Sequence, residues 1–116
     1  MSSRELLSSR ALAAIDRASS IGVSPLSCFE LSLAVARGRI ALDRELAVWV
    51  RQALAMEGVA IVDLKPAAAV AAATLGAEFP KDPVDRMLYA TAAELGVPLV
   101  TKDRRLREAD PERTVW

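Results

Sequence analysis

The segment Gly96-Val97-Pro98-Leu99-Val100-Thr101 decides the class of fold. A glycine closes a stretch of helical character, valine follows at once, and a short apolar run ends on a hydroxyl with Asp103 just beyond. The same syntax recurs at Gly58-Val59-Ala60-Ile61-Val62-Asp63 and, more briefly, at Gly22-Val23-Ser24. Working outward, Gly22, Gly38, Gly58, Gly76 and Gly96 each follow a segment with helical character. Glycine just past a helix is the usual left-handed cap. Helix, glycine, short β-branched strand and helix again is the rhythm of an α/β fold with a parallel sheet. The pattern predicts helices near 5–19, 25–37, 43–57, 66–75, 83–95 and 103–108, and strands near 21–24, 59–63, 97–101 and 113–116. In open parallel sheets ligands bind beyond the carboxyl ends of the strands. Ser24, Asp63 and the stretch 101–103 occupy such ends.

A length of 116 residues suits one domain, taken here as 1–116, and a 53% hydrophobic content is enough for a core. Alanine supplies much of that content and aromatics only 4%, which favours helices over a β-sandwich. The 15 basic and 15 acidic residues cancel, so net charge alone does not point to nucleic acid. No apolar run approaches the roughly 20 residues that span a bilayer, and the Met-Ser-Ser-Arg-Glu start lacks the apolar centre of a signal peptide. These features suggest no membrane association, and Cys28, the single cysteine, fits a cytoplasmic location and a role as a small buried hydrophobe.

The chain has no histidine. That excludes a Ser-His-Asp triad, a Cys-His nucleophile and any histidine-bearing zinc site. The glycines are too scattered for a phosphate-binding loop. Carboxylates are therefore the plausible chemical groups, and carboxylates without imidazole or thiolate suit the hard cations Mg²⁺ or Mn²⁺.

Three carboxylates stand out by position. In the 25–37 helix, with Ser24 as cap and Pro25 as first residue, Leu26, Phe29 and Leu33 form an apolar stripe, and Glu30 falls within it. Glu30 either belongs to that face or reaches solvent from its edge. In the 83–95 helix, Val84, Leu88, Ala92 and Leu95 line one face, and Asp85 shares it. The alternative is structural, with Asp82 capping the helix, Pro83 starting it and Asp85 in the first turn. Asp103 follows the strand at 97–101, and capping is the commoner role for such an aspartate. Three acids near one end of a parallel sheet would repel one another unless a cation lay among them. Arg104, Arg105 and Arg107 read as a solvated face or as phosphate contacts, and Trp49 as core or dimer interface.

These segments resemble a known family. Ser24-Pro25-Leu26-Ser27-Cys28-Phe29-Glu30-Leu31 resembles the Ser-x-x-Ser-x-Trp-Glu-Leu segment of PIN-domain ribonucleases of the VapC toxin type, with Phe29 in place of tryptophan. Lys81-Asp82-Pro83-Val84-Asp85-Arg86-Met87-Leu88 resembles the family's Asp-Pro-Phe-Asp-Arg-Leu-Leu motif. Leu99-Val100-Thr101-Lys102-Asp103-Arg104-Arg105-Leu106 resembles its Leu-Val-Thr-x-Asp segment, and Thr114-Val115-Trp116 fits its last strand. The resemblance implies a three-layer α/β fold, a parallel sheet flanked by helices. It implies a metal-dependent endoribonuclease, the toxin of a toxin–antitoxin pair, with RNA as substrate, a cognate antitoxin as partner and a homodimer as assembly. The catalytic and metal-binding acids carry over to Glu30, Asp85 and Asp103, with Asp82 as an auxiliary metal ligand and Thr101 and Arg86 near the site. The implied cofactor is Mg²⁺ or Mn²⁺.

One departure stands beside the match. Family members begin with a central strand bearing Leu-Asp-Thr and the first catalytic aspartate, whereas Arg4-Glu5-Leu6-Leu7-Ser8 resembles the segment just after that strand, and no aspartate precedes Asp16. The reading is a PIN-like domain without its first, central strand and first acid, its ribonuclease activity impaired. The alternatives are a catalytically inactive PIN remnant that binds an antitoxin or dimerises, and a trimmed form of a complete protein. An unpaired strand edge is the expected structural mark.

Overall fold

The computed structural model describes residues 8–116. The sequence segment at 4–8 and the start of the helix expected at 5–19 lie largely outside them. The elements run α1 (Ser9–Arg17), β1 (Ile21–Val23), α2 (Pro25–Ala36), α3 (Leu46–Leu54), β2 (Val59–Ile61), α4 (Pro66–Ala73), α5 (Pro83–Leu95), β3 (Leu99–Val100), α6 (Arg104–Ala109) and β4 (Thr114–Val115). The predicted order is reproduced in full, and the boundaries are shorter. Strands keep only the residues that find a ladder partner.

Local chemistry explains the starts and stops. Proline opens α2, α4 and α5, where its missing N–H costs nothing. The Ser24 hydroxyl accepts from the Leu26 N–H at 3.1 Å and caps α2. Gly96 ends α5 at φ 66° and ψ 31°, a left-handed conformation that a side chain would oppose. Gly22 is a correction. It is not a helix cap but the middle residue of β1, and a Cβ there would lie 2.7 Å from Val62 Cγ2, so glycine permits a close approach.

Pairing is parallel, as expected. β1 pairs with β2 (Ile21 opposite Val59, Val23 opposite Ile61) and β3 with β4 (Leu99 opposite Thr114, Val100 opposite Val115). Among the described residues these are two separate two-stranded sheets, and each strand has one neighbour.

The chain divides into two compact units. The first, residues 17–63, holds β1, α2, α3 and β2, with α3 packed on α2 and on β2. None of its helical residues is buried, and its one buried residue is the capping Ser24. The predicted α2 stripe is therefore not core. Phe29 is 52% exposed, Glu30 is exposed, and Cys28 and Trp49 are only half-buried. Cys28 lines an open apolar groove with Leu46, Val50, Leu54 and Ile61.

The second unit, α1 with residues 64–116, contains every buried apolar side chain among the described residues. Ala68 and Ala72 of α4 meet Ala90 of α5, and these small side chains let the helices approach closely beneath Leu64 and Met87. Phe79, Tyr89 and Leu106 form a second cluster with Leu75, Ala93 and Leu99. The Phe79 and Tyr89 rings stand 4.7 Å apart at 51°, a tilted contact that aromatic quadrupoles favour.

Candidate active site

Asp82, Asp85, Thr101 and Asp103 belong to the second unit and Glu30 to the first. Asp82 caps α5. Its Oδ1 accepts from the Val84 N–H at 2.8 Å and from the Asp85 N–H at 3.2 Å. Asp85, one residue short of the first full turn, is half-buried in the part of the helix whose open N–H groups favour an acidic side chain.

Asp103 is fixed from two sides. Its N–H donates to Thr101 Oγ1 at 3.1 Å, and its Oδ1 accepts from the Leu106 N–H at 2.8 Å to cap α6. Thr101 continues β3 through its own N–H, which donates to the Val115 carbonyl at 3.0 Å. Capping and a functional role are compatible for Asp82 and Asp103, because a cap through Oδ1 leaves a carboxylate its second oxygen. Glu30 sits in the second turn of α2, the helix that leaves the carboxyl end of β1.

The donors are carboxylate and hydroxyl oxygens, chemistry that fits a hard divalent cation. Among the described residues no group of three or more Asp, Glu, Cys or His side chains is gathered closely enough to hold a metal ion.

Arg86, which the resemblance places near the site, directly follows Asp85, and its guanidinium is engaged by backbone carbonyls. Nε donates to Pro80 O at 2.8 Å, Nη1 to Leu75 O at 2.9 Å and Ala72 O at 3.2 Å, and Nη2 to Gly76 O at 3.4 Å. Sequence reasoning also missed a knot at the end of α6. Tyr89 Oη donates to Asp110 Oδ2, the Arg113 N–H donates to Asp110 Oδ1 at 3.1 Å, and the Thr114 hydroxyl donates to Asp110 O at 2.8 Å. The Tyr89 hydrogen bond, with the Arg113 amide and guanidinium, lowers the Asp110 pKa, while burial and Asp110 raise that of Tyr89. A tyrosine on the buried face of a helix offers the only sequence signal, since a buried phenol needs a partner.

Parallel strands thus alternate with capped helices, and Asp82, Asp85 and Asp103 stand at helix starts. A family model for the PIN domain matches residues 2–111, and the chain belongs to the PIN-domain family. It is 43% identical over 112 residues to Ribonuclease VapC22 of Mycobacterium tuberculosis, a match covering 95% of this chain and 85% of that relative. No solved structure matches it.

Proposed function

We propose that this chain is a metal-dependent endoribonuclease of the VapC type, the toxin of a toxin–antitoxin pair acting on RNA in the cytoplasm. The observation that carries the reading is the PIN family match across residues 2–111, within which the aspartates of two sequence motifs occupy helix starts. The relative's name, a ribonuclease, supports the same activity.

In this reading Glu30, Asp85 and Asp103 hold Mg²⁺ or Mn²⁺, with Asp82 as auxiliary. Such a cation, when bound, would supply activation of the attacking water and stabilisation of the leaving oxygen. The chain's own residues position the acids. Asp82 orders the first turn that carries Asp85, and the Thr101 hydroxyl holds the amide of Asp103. The absence of histidine leaves no imidazole to serve as general base. Cleavage of an unstructured RNA should require Mg²⁺ or Mn²⁺ and be abolished by Asp85→Asn. Cleavage persisting in excess EDTA would overturn the metal assignment.

A second reading is an inactive PIN module that binds an antitoxin or a second copy of itself. The open apolar groove lined by Leu46, Val50, Leu54 and Ile61 favours it, because contiguous exposed apolar surface marks interaction sites. Under this reading the wild type and Asp85→Asn would be equally inert toward RNA and would bind a co-expressed antitoxin equally well. Sedimentation of the isolated chain tests the expected homodimer.

A further inference from the structure

The loop between α4 and α5 is gripped by arginines from both helices that carry the motif aspartates. Arg86 follows Asp85 by one residue, and its guanidinium spans four carbonyls, those of Ala72, Leu75, Gly76 and Pro80. Arg105 follows Asp103 by two, and its Nη2 donates to Ala77 O at 3.4 Å. Ala72 O belongs to the last turn of α4, the negative end of that helix's dipole, and the carbonyls of Leu75, Gly76 and Pro80 belong to the loop that follows. A planar cation with five donors satisfies several of them in one rigid geometry, which a lysine ammonium cannot do.

The connection to the acids is short. Pro80 is buried, and its carbonyl holds Arg86 Nε two residues before the cap Asp82. The Arg86 N–H in turn donates to Asp82 O at 3.2 Å. Side chain and main chain thus close a small ring around residues 80–86, and Asp82 and Asp85 both lie in it.

We infer that Arg86, assisted by Arg105, is a positioning residue that uses the α4–α5 loop as a strut to set the Asp82–Asp85 turn relative to Asp103. The inference rests on the reading of Asp85 and Asp103 as cation ligands. It assigns Arg86 neither to substrate nor to metal. It acts through backbone that the aspartates share.

The test uses the full chain, with Mn²⁺ uptake followed by electron paramagnetic resonance and amide exchange measured without metal. Arg86→Lys should raise the half-saturating Mn²⁺ about tenfold or more, the usual consequence of removing support behind a ligand. It should also accelerate exchange at the Val84 and Asp85 amides. Tyr89→Phe, which removes the hydroxyl bonded to Asp110 and keeps the ring against Phe79, should melt earlier yet keep wild-type Mn²⁺ uptake. Arg105→Gln removes one long bond from an exposed residue and should shift uptake in the same direction by less, which keeps the test decisive if Arg86→Lys does not fold. Wild-type uptake in folded Arg86→Lys, or in Arg105→Gln where Arg86→Lys fails to fold, would overturn the inference alone. An equal loss in Tyr89→Phe would also overturn it, by showing general loosening. A wild-type chain that takes up no Mn²⁺ would remove the metal reading, and this inference with it.

Discussion

The two units share a vocabulary and differ in what they bury. Each has a pair of parallel strands and at least one helix opened by proline. The unit formed by α1 and 64–116 buries Ala11, Leu106, Tyr89, Phe79 and the alanines between α4 and α5, whereas 17–63 buries only Ser24. Secondary structure is therefore not what distinguishes them. Small side chains at the α4–α5 crossing let two helices close on each other, and close packing is where burial contributes most. In the 17–63 unit Phe29, Met56 and Ile61 remain open to solvent, so these three contribute little until something covers them.

The largest expected effect comes from this contrast. Leu106 is 1% exposed, and Leu106→Ala should cost about 2–5 kcal/mol in urea unfolding. Val50→Ala, at a half-buried position in α3, should cost less than about 1 kcal/mol. Equal losses would break the comparison, because they would mean that the 17–63 unit is covered in solution. Hydrogen exchange sharpens the same point. The Leu99 and Thr101 amides, bonded to Arg113 O and Val115 O, should exchange at least about tenfold more slowly than those of Ile21 and Val62, bonded to Gly58 O and Val23 O.

Much of this was readable in the chain. Prolines at 25, 66 and 83, caps at Ser24, Asp82 and Asp103, and glycines at 58 and 96 are local signals, and local signals fixed the element order. What stayed hidden is decided by partners. A run such as 59–63 does not encode which residues will be laddered: Val59–Ile61 pair with β1, and Val62 adds only an amide bond to Val23 O. Nor does a stripe such as Leu26, Phe29 and Leu33 say whether another surface meets it. The aspartates were legible as acids at helix starts, with capping the plainer reading for Asp82 and Asp103 and a first-turn place for Asp85. The hold on Arg86 was not legible, because its partners are main-chain carbonyls, which no side-chain pattern displays.

A medium effect separates charge from packing within the better-packed unit. Asp110 has a lowered pKa, so the stability it contributes is fully present above the unfolded aspartate pKa and is lost as pH falls through the folded one. Acid should therefore loosen α6 and β4, whose ends Asp110 joins through Thr114 and Arg113. Tyr89→Phe removes the principal cause of the shift. It should lower stability at neutral pH by about 1.5–3 kcal/mol, the range for a hydrogen bond to a charged group, and flatten the acid limb of the profile. An unchanged profile in Tyr89→Phe would move the acid sensitivity to another carboxylate.

The smallest effect is expected where the units ought to be indistinguishable. Each carries an exposed ion pair, Asp43–Arg44 at 2.8 Å in one and Arg104–Glu108 at 2.8 Å in the other. Hydrogen bonding to Arg44 lowers the Asp43 pKa, yet both pairs stand in water, where salt screens them and side-chain ordering offsets the attraction. If burial is the whole difference between the units, removing either pair should be equally inconsequential. Arg44→Gln and Arg104→Gln should leave the urea midpoint unchanged within error at 0.15 M salt, a concentration with a screening length of about 8 Å. Arg44 carries one further bond, from Nη1 to Gln52 of α3. A measurable loss confined to Arg44→Gln would therefore show that the 17–63 unit depends on polar ties across its surface in place of a core. The comparison would then be one of two kinds of stabilisation, not of more and less.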